Sequence, residues 1–140
     1  MRGVLEPILS HAPASLTIAN RTREKALQLA DDFSDLGNIK GCGLDEFGDQ
    51  CYDIIINGTS ASLGGEMPDL PDAIVSDITF CYDMMYAKEP TPFMQWAQKK
   101  GAFKVADGIG MLVEQAAESF RIWRGCEPDT APVIAALRNA

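Results

Sequence analysis

Short apolar runs that end in polar turns alternate along this chain with stretches of helical periodicity, and this alternation restricts its fold more than any other feature. The run 52–57 is β-branched at Ile54, Ile55 and Ile56, which is typical of a strand buried on both faces of a parallel sheet. Strands that alternate with helices predict parallel pairing with right-handed crossovers. We therefore expect an α/β fold with a Rossmann-like, doubly wound parallel sheet.

The expected elements follow one another in a regular order. Strands are predicted at 16–19, 39–42, 52–57, 78–82 and 103–105. Helices are predicted at 2–10, 23–33, 93–99, 110–124 and 130–138, with a single helical turn at 44–47. In helix 93–99 the side chains of Phe93, Trp96 and Ala97 are expected to face inward. The segment 62–71, rich in glycine and proline, is expected to form an exposed, mobile loop.

Composition excludes several functional classes. The chain has 140 residues, which suits one domain, and a formal net charge of −8, which argues against nucleic acids and anionic membranes as partners. The four cysteines show no Cys-x-x-Cys spacing and are interpreted as reduced thiols; no metal site is expected. No apolar run approaches the roughly 18–20 residues that span a bilayer. A cytoplasmic location is predicted.

The stretch 16–25 indicates a nucleotide site, because a buried strand there stops at a polar, basic turn and becomes a helix. In doubly wound folds ligands lie at the carboxyl ends of the parallel strands, and an acidic residue after the second strand binds the ribose 2′-hydroxyl of NAD. This chain has Asn20 and Arg21 there instead, and Arg23 and Lys25 follow. Basic residues are unfavourable at a helix start unless an anion is near. The implied cofactor is NADP.

A purely structural interpretation of this turn stays open, since runs of charge are usually solvated. The long side chains would then point away from any site, and Thr22 would serve as the N-cap of the helix. His11, the single histidine, follows the first helix and has no predicted partner for acid–base chemistry. Pro7 lies within that first helix, where proline is normally unfavourable.

Several segments together resemble the C-terminal, NADP-binding domain of the shikimate dehydrogenase family, and they occur in the family's order over nearly the whole chain. These segments are 19–22 (Ala-Asn-Arg-Thr), 53–60 (Asp-Ile-Ile-Ile-Asn-Gly-Thr-Ser), 81–86 (Cys-Tyr-Asp-Met-Met-Tyr), 91–93 (Thr-Pro-Phe) and 106–117, which begins Ala-Asp-Gly. The family reduces 3-dehydroshikimate to shikimate with NADPH in aromatic amino-acid biosynthesis. The resemblance therefore implies an oxidoreductase, with this chain as a truncated NADP-binding domain over residues 1–140.

The resemblance also implies roles for particular residues. The positions that match those binding the adenosine 2′-phosphate are Asn20, Arg21, Thr22 and Lys25. The positions that match those lining the cofactor are Thr59, Met84, Gly108 and Met111, with Gly108 allowing close backbone approach. Tyr86 and Gln115 match positions that contact shikimate. From the residues alone, the methionines could equally be core residues, Tyr86 a half-buried aromatic and Gln115 a solvated helix residue.

The resemblance further implies parts that this sequence does not contain. The family's proton-handling lysine and aspartate belong to an N-terminal substrate domain, and its glycine-rich turn and first strand come just before Arg2. The chain alone is therefore expected to lack dehydrogenase activity and to bind NADP weakly. The missing strand is central in the order 3-2-1-4-5-6, so its neighbours are expected to pair with each other or to self-associate. Helix 130–138 is expected to expose an apolar face.

The sequence leaves two other functions open. One is a non-catalytic nucleotide-binding or interaction module, which Tyr86 and Gln115 disfavour because they are useful only with a shikimate-like substrate. The other is a quinate/shikimate dehydrogenase paralogue or an enzyme that uses NAD, which Arg21 and Lys25 disfavour.

Overall fold

The computed structural model describes residues 2–59 and 67–139 of the chain. In these residues the strands are β1 (Leu16–Ala19), β2 (Ile39–Cys42), β3 (Ile54–Asn57), β4 (Phe80–Asp83) and β5 (Lys104–Ala106). The α-helices are α1 (Arg2–Ser10), α2 (Arg23–Asp32), α3 (Pro92–Lys99), α4 (Ile109–Arg124) and α5 (Ala131–Asn139). The chain divides into two compact units: the first contains Met1–Cys51 with Pro68–Ile74, and the second contains Tyr52–Met67 with Val75–Ala140.

All strand pairs in the described residues are parallel. In the first unit β1 pairs with β2, with Leu16 opposite Ile39. In the second unit the order is β3-β4-β5, with Ile54 opposite Phe80 and Phe80 opposite Lys104. The prediction of an α/β fold with parallel strands is confirmed. The described strands therefore form one sheet of β1 and β2 and another of β3, β4 and β5.

The core of the first unit forms where α1 and α2 cover β1 and β2. Leu5, Ile18 and Ala26 are buried together, and the apolar residues Leu16, Leu29, Phe33 and Ile39 pack around them. Burial of Leu5 and Leu9 stabilises α1 although Pro7 lies inside it. A β-carbon on Gly41 would lie 2.4 Å from the carbonyl oxygen of Ala26, so β2 and α2 approach more closely than any other residue would permit.

The core of the second unit is built from β4, α3 and α4. Cys81, Phe93 and Ala97 are fully buried, and Ile109 and Val113 are buried on α4. The inward orientation predicted for Phe93 and Ala97 is confirmed. Trp96 is only partly buried and lies beside Phe93, with ring centroids 5.7 Å apart.

Several predicted boundaries are wrong. The fourth strand begins at Phe80 rather than Ile78, because the buried Thr79 hydroxyl donates to the Tyr52 carbonyl oxygen at 2.7 Å and accepts the Ser76 N–H, which holds residues 76–79 in a turn. Ile78 is consequently 63% exposed. The fifth strand begins at Lys104, and Phe103, which was expected in it, is 73% exposed.

The third strand is shorter and less buried than the sequence predicts. It begins at Ile54, whose side chain is 59% exposed, and among the described strands it pairs with β4 alone. Among the described residues, Ile54 is therefore not buried on both faces of the sheet as predicted. The helical turn predicted at 44–47 is also absent: Glu46 closes a non-helical turn by donating its N–H to the Gly43 carbonyl oxygen and accepting the Gly43 N–H on its side chain.

The remaining expectations concern the chain's surface. Helix α5 has no buried residue, and Val133 and Leu137 are exposed, as expected for an uncovered apolar face. Of the expected loop 62–71, residues 62–66 lie outside the described part of the chain. No helix in the described residues is long and apolar enough to cross a membrane.

Candidate functional site

The turn at residues 20–25, called the basic turn here, begins where β1 ends in the first unit. The Asn20 N–H donates to the Cys42 carbonyl oxygen at 3.2 Å, which holds the start of the turn against the end of β2. The Asn20 side-chain oxygen accepts the Thr22 N–H at 2.8 Å. Thr22 occupies the N-cap position of α2 but its side chain makes no capping hydrogen bond. The prediction that Thr22 is the N-cap of α2 is confirmed for its position; the side-chain hydrogen bond that closes the turn is made by Asn20 rather than by Thr22.

One of the basic side chains near this turn is neutralised within the chain. The Nε atom of Arg23 lies 2.9 Å from both carboxylate oxygens of Glu46, and the Gly43 N–H donates to the same carboxylate at 2.7 Å. The Gly43 N–H and the Arg23 side chain hold the pKa of Glu46 below its usual value. Arg23 therefore adds little net positive charge to the turn.

The other two basic side chains have no such compensation. Arg21 and Lys25 are exposed, and neither makes an ion pair with any part of the chain that the structure describes. Asn20 retains its side-chain NH₂ group as a donor. Two uncompensated cations and an amide donor therefore lie together at the carboxyl end of β1, which is a donor set suited to a phosphate group.

A buried polar network joins the carboxyl ends of β3 and β4 in the second unit. Asp83 is fully buried, and one carboxylate oxygen accepts the Asn57 side-chain NH₂ at 3.2 Å and the Met85 N–H at 3.0 Å. The other oxygen accepts the Thr91 hydroxyl at 2.6 Å. Asn57 and Asp83 are opposite each other in the sheet. A single carboxylate thus fixes the ends of two strands and the start of α3.

Thr59 is attached to this network. Its N–H and its hydroxyl both donate to the Asn57 side-chain oxygen, at 3.1 and 2.8 Å. Thr59 is half-buried. The network therefore determines where the hydroxyl of a predicted cofactor-lining residue lies.

Gly108 and Met84, two more predicted cofactor-lining residues, lie in direct contact. A β-carbon on Gly108 would lie 2.2 Å from the Met84 carbonyl oxygen, and the Gly108 N–H donates to the Met85 carbonyl oxygen at 2.9 Å. The resemblance to the family implies that a glycine is needed at position 108 so that a cofactor can approach the backbone closely. The structure gives a second reason within the chain, because the turn after β4 passes directly over Gly108.

The other predicted residues lie near the start of α4 or in the turn after β4. Met111 is partly buried on the first turn of α4, and Gln115, one turn later on the same face, is exposed. Tyr86 follows β4 and is 48% exposed. The structure therefore places Thr59, Met84, Gly108 and Met111 at the carboxyl ends of β3, β4 and β5. Asn20, Arg21, Thr22 and Lys25 belong to the first unit.

The sequence placed Asn57 and Asp83 in candidate ligand turns at strand ends and Thr91 in a segment that resembles the family, but it did not predict that all three are buried. The sequence does contain a signal for two of them: Asn57 and Asp83 are polar residues that come directly after an apolar run. It also missed Tyr82, whose phenol lies at the start of α4. Burial, and next the negative charge of Asp107, raise the pKa of Tyr82, while a hydrogen bond with the Met111 backbone opposes that shift.

The four cysteines are free thiols, of which Cys42 and Cys81 are buried and Cys51 and Cys126 are exposed. Burial raises the pKa of Cys81 to about 11. Burial, followed by the charge of Glu46, also raises the pKa of Cys42. The buried thiols are therefore poor nucleophiles.

Parallel strands whose carboxyl ends carry a basic turn, a buried polar network and a close glycine contact define the Rossmann-like class of α/β nucleotide-binding domains. Residues 108–138 match the family model described as the Shikimate 5'-dehydrogenase C-terminal domain. In this segment the chain is similar to the C-terminal domain of shikimate dehydrogenases.

Comparison with individual proteins gives the same similarity. The chain is 55% identical over 139 residues to the shikimate dehydrogenase (NADP(+)) of Cellvibrio japonicus, covering 99% of this chain and 50% of that protein. It is 52% identical over 144 residues to that of Saccharophagus degradans, covering 99% and 52%. The crystal structure of an enzyme from Pseudomonas putida is similar with a TM-score of 0.86 at 42% identity, covering 96% of this chain and 49% of that one. The chain thus spans about half the length of the curated relatives it matches.

Proposed function

We propose that this chain is the NADP-binding part of a shikimate dehydrogenase, an oxidoreductase that reduces 3-dehydroshikimate to shikimate with NADPH in the shikimate pathway. The chorismate and aromatic amino-acid pathways would use its product. The proposal is supported by relatives named shikimate dehydrogenase (NADP(+)) and by the similar structure of the Thermus thermophilus shikimate 5-dehydrogenase, which was solved with NADP(H) and shikimate.

The observation that carries the proposal is the charge of the basic turn. Arg21 and Lys25 have no ion-pair partner among the described residues, whereas Arg23 is held by Glu46. An NAD site would present an acidic residue to the ribose at this point. Asn20, Arg21, Thr22 and Lys25 would therefore hold the adenosine 2′-phosphate, with Lys25 acting as a point charge rather than a planar fork.

We assign the remaining roles on the same basis. Thr59, Met84, Gly108 and Met111 would line the cofactor, and Tyr86 and Gln115 would contact shikimate. Bound NADPH would supply the hydride, and the residues of this chain would bind and orient the cofactor and substrate. The exposure of Tyr86 and Gln115 is compatible with ligand contact, since neither side chain is committed to the core.

The domain organisation is proposed from the family. Residues 1–140 would form a truncated C-terminal domain, and the lysine and aspartate that handle protons would belong to the half of the relatives that this chain does not span. We therefore expect the chain alone to have no dehydrogenase activity. A turnover rate comparable with that of a whole relative would contradict this expectation.

Calorimetric titration of the 140-residue chain with NADP and NAD tests the cofactor proposal. We expect saturable binding that favours NADP, and a loss of at least about tenfold in NADP affinity in Arg21→Ala, because a charge-assisted hydrogen bond is removed. Arg23→Ala is the matched control, since it removes the arginine already neutralised by Glu46 and should weaken binding much less. Equal affinity for the two nucleotides would contradict the assignment of the basic turn.

We also propose that the chain self-associates through its strand edges. The described strands form one sheet of two strands and one of three, and the outer strand of an open sheet can pair with another chain. Light scattering would then give a mass that rises with concentration, and a constant monomer mass would contradict the proposal. A cytoplasmic location is proposed because all four cysteines are free thiols.

A further inference from the structure

The Glu46 carboxylate lies at the same edge of the first unit's sheet as the basic turn. β1 and β2 are parallel neighbours, so the turns that follow them leave the sheet at one edge. The Asn20 N–H donates to the Cys42 carbonyl oxygen at 3.2 Å, and these two turns therefore start side by side. The Gly43 N–H donates to the Glu46 carboxylate at 2.7 Å and fixes its position. The Gly43 N–H, followed by Arg23, lowers the pKa of Glu46, so the carboxylate is ionised at neutral pH.

Arg23 contacts this carboxylate through only part of its guanidinium group. Its Nε atom lies 2.9 Å from both carboxylate oxygens of Glu46. The N–H groups on its terminal nitrogens make no hydrogen bond to any part of the chain that the structure describes. Those terminal nitrogens belong to the planar fork with which arginine binds a phosphate. Arg23 therefore keeps the donors of a phosphate ligand, while Glu46 offsets its charge.

The position of Arg23 brings this guanidinium next to the proposed phosphate site. Arg23 is the first residue of α2 and lies two residues from both Arg21 and Lys25. Glu24, the acidic residue of this stretch, makes no ion pair with a described residue. Loss of the Glu46 charge would therefore add a further unpaired cation to the turn. A phosphate monoester carries about two negative charges at pH 7, which Arg21 and Lys25 already balance.

We propose that Glu46 is a specificity-determining residue for the basic turn: it neutralises Arg23, which would otherwise act as a third cation toward the phosphate, and so limits the affinity of the turn. This inference rests on the proposed function and extends it, because it names a residue outside the turn that sets how tightly a 2′-phosphate is held. Glu46 acts through Arg23 and is a positioning residue rather than a ligand. A limited affinity favours release of the dinucleotide, since a tighter ground-state contact slows dissociation without speeding the chemical step.

The test is calorimetric titration of the 140-residue chain with adenosine 2′,5′-bisphosphate at low ionic strength, where surface charges are least screened. Wild type is compared with Glu46→Gln, Arg23→Gln and the double variant. Glutamine keeps the length of glutamate, and its amide oxygen can still accept the Gly43 N–H. We expect Glu46→Gln to bind the bisphosphate about fivefold more tightly, which is the upper range for an exposed ion pair. Glu46→Ala also releases Arg23 and should show the same gain.

A double-mutant cycle separates the release of Arg23 from the simple loss of a negative charge. Arg23→Gln should weaken binding less than about twofold in the wild-type background, but should remove most of the gain in the Glu46→Gln background. Asp45→Asn is the matched control, because it removes a negative charge from the same turn and Asp45 makes no ion pair with a described residue. It should change the affinity less than about twofold. Adenosine 5′-monophosphate, which lacks the 2′-phosphate, should bind all of these variants about equally.

The expected gain in affinity cannot come from damage to the fold, because unfolding only weakens binding. Three results would overturn the inference: no gain in Glu46→Gln and Glu46→Ala, an equal gain in Asp45→Asn, or strictly additive effects of Arg23→Gln and Glu46→Gln. Failure of the proposed function has a different signature. In that case the wild-type chain does not bind the bisphosphate, or Arg21→Ala binds it as well as wild type does, and the inference falls with the function on which it rests.

Discussion

The Thr91 hydroxyl lies 2.6 Å from a carboxylate oxygen of Asp83, and both residues are buried although one ends β4 and the other precedes α3. The same hydroxyl accepts the Met94 N–H at 3.2 Å and so caps α3. One side chain therefore serves two elements. The turn between them, which carries Met84 and Tyr86, is held at both ends by this contact.

Replacing Thr91 by valine is expected to destabilise the chain by about 2–4 kcal/mol. The loss combines removal of a donor from a buried carboxylate, about 1–3 kcal/mol, with loss of a helix cap, about 1 kcal/mol. Urea unfolding followed by circular dichroism measures the change. Thr91→Ser is the control, because it keeps the hydroxyl and removes one methyl group, at about 1 kcal/mol. Equal stability of the valine and serine variants would contradict the role given to the hydroxyl.

Replacing Gly108 and Gly110 by alanine should change the stability in opposite directions, because only Gly108 is in close contact with another part of the chain. A β-carbon on Gly108 would lie 2.2 Å from the Met84 carbonyl oxygen, while a β-carbon on Gly110 meets nothing within 4 Å. Gly108→Ala should lower the free energy of unfolding by about 1–3 kcal/mol, since backbone must shift to admit the methyl group. Gly110→Ala should raise it by up to about 1 kcal/mol, since glycine is unfavourable in a helix.

Both glycine variants can be compared by thermal unfolding under one set of conditions. Opposite signs of the two changes are the expected result. A neutral Gly108→Ala would mean that the turn after β4 relaxes easily, and that Gly108 is not needed for packing within the chain.

Local sequence predicted the elements better than it predicted their contacts. The strands 16–19 and 39–42 were predicted with their observed bounds, because each begins with an apolar residue and alternates regularly with the helices around it. The strand predicted from Ile78 begins two residues later, since a buried hydrogen bond from Thr79 to Tyr52 decides its start. That bond joins residues 27 positions apart, and no local pattern reports it.

In the candidate site, too, the sequence predicted individual residues but not the contacts between distant ones. Arg21 and Lys25 could be selected from the sequence, because their charges at a helix start are unusual. That Arg23 is neutralised, and that Asn57 and Asp83 are paired, depends on distant partners. Glu46 lies 23 residues from Arg23, and Asp83 lies 26 residues from Asn57. Strand register and loop closure create these pairs, so they become visible only in the folded chain.

The accessibility of the thiols gives a third prediction. At pH 8 a disulfide reagent should modify Cys51 and Cys126 quickly, because both are exposed. Cys81 is buried and its pKa is about 11, so only about one molecule in a thousand carries the thiolate at pH 8. Two thiols should therefore titrate in the native chain and four in denaturant. Fast modification of four thiols in the folded chain would contradict the burial of Cys42 and Cys81.

Glu46 should make the stability of the chain depend on pH. The Gly43 N–H, followed by Arg23, lowers its pKa in the folded state below the value of 4.5 that applies when it is unperturbed. The carboxylate therefore stabilises the fold above pH 4.5, and this contribution disappears as the pH falls through the lower, folded-state value. Glu46→Gln should be less stable than wild type at pH 7, and the difference should shrink as the pH falls below 4.5.

Urea unfolding of wild type and Glu46→Gln at pH 7, pH 5 and pH 3 measures this difference. Arg23→Gln provides the matched variant, since it removes the ion pair but leaves the Gly43 hydrogen bond to Glu46 in place. Because the Gly43 N–H is the larger cause of the lowered pKa, Arg23→Gln should retain most of the contribution that Glu46 makes to the pH dependence, whereas Glu46→Gln removes that contribution. If Arg23→Gln abolished the pH dependence as completely as Glu46→Gln, the ion pair rather than the turn would be the main source of the stabilisation.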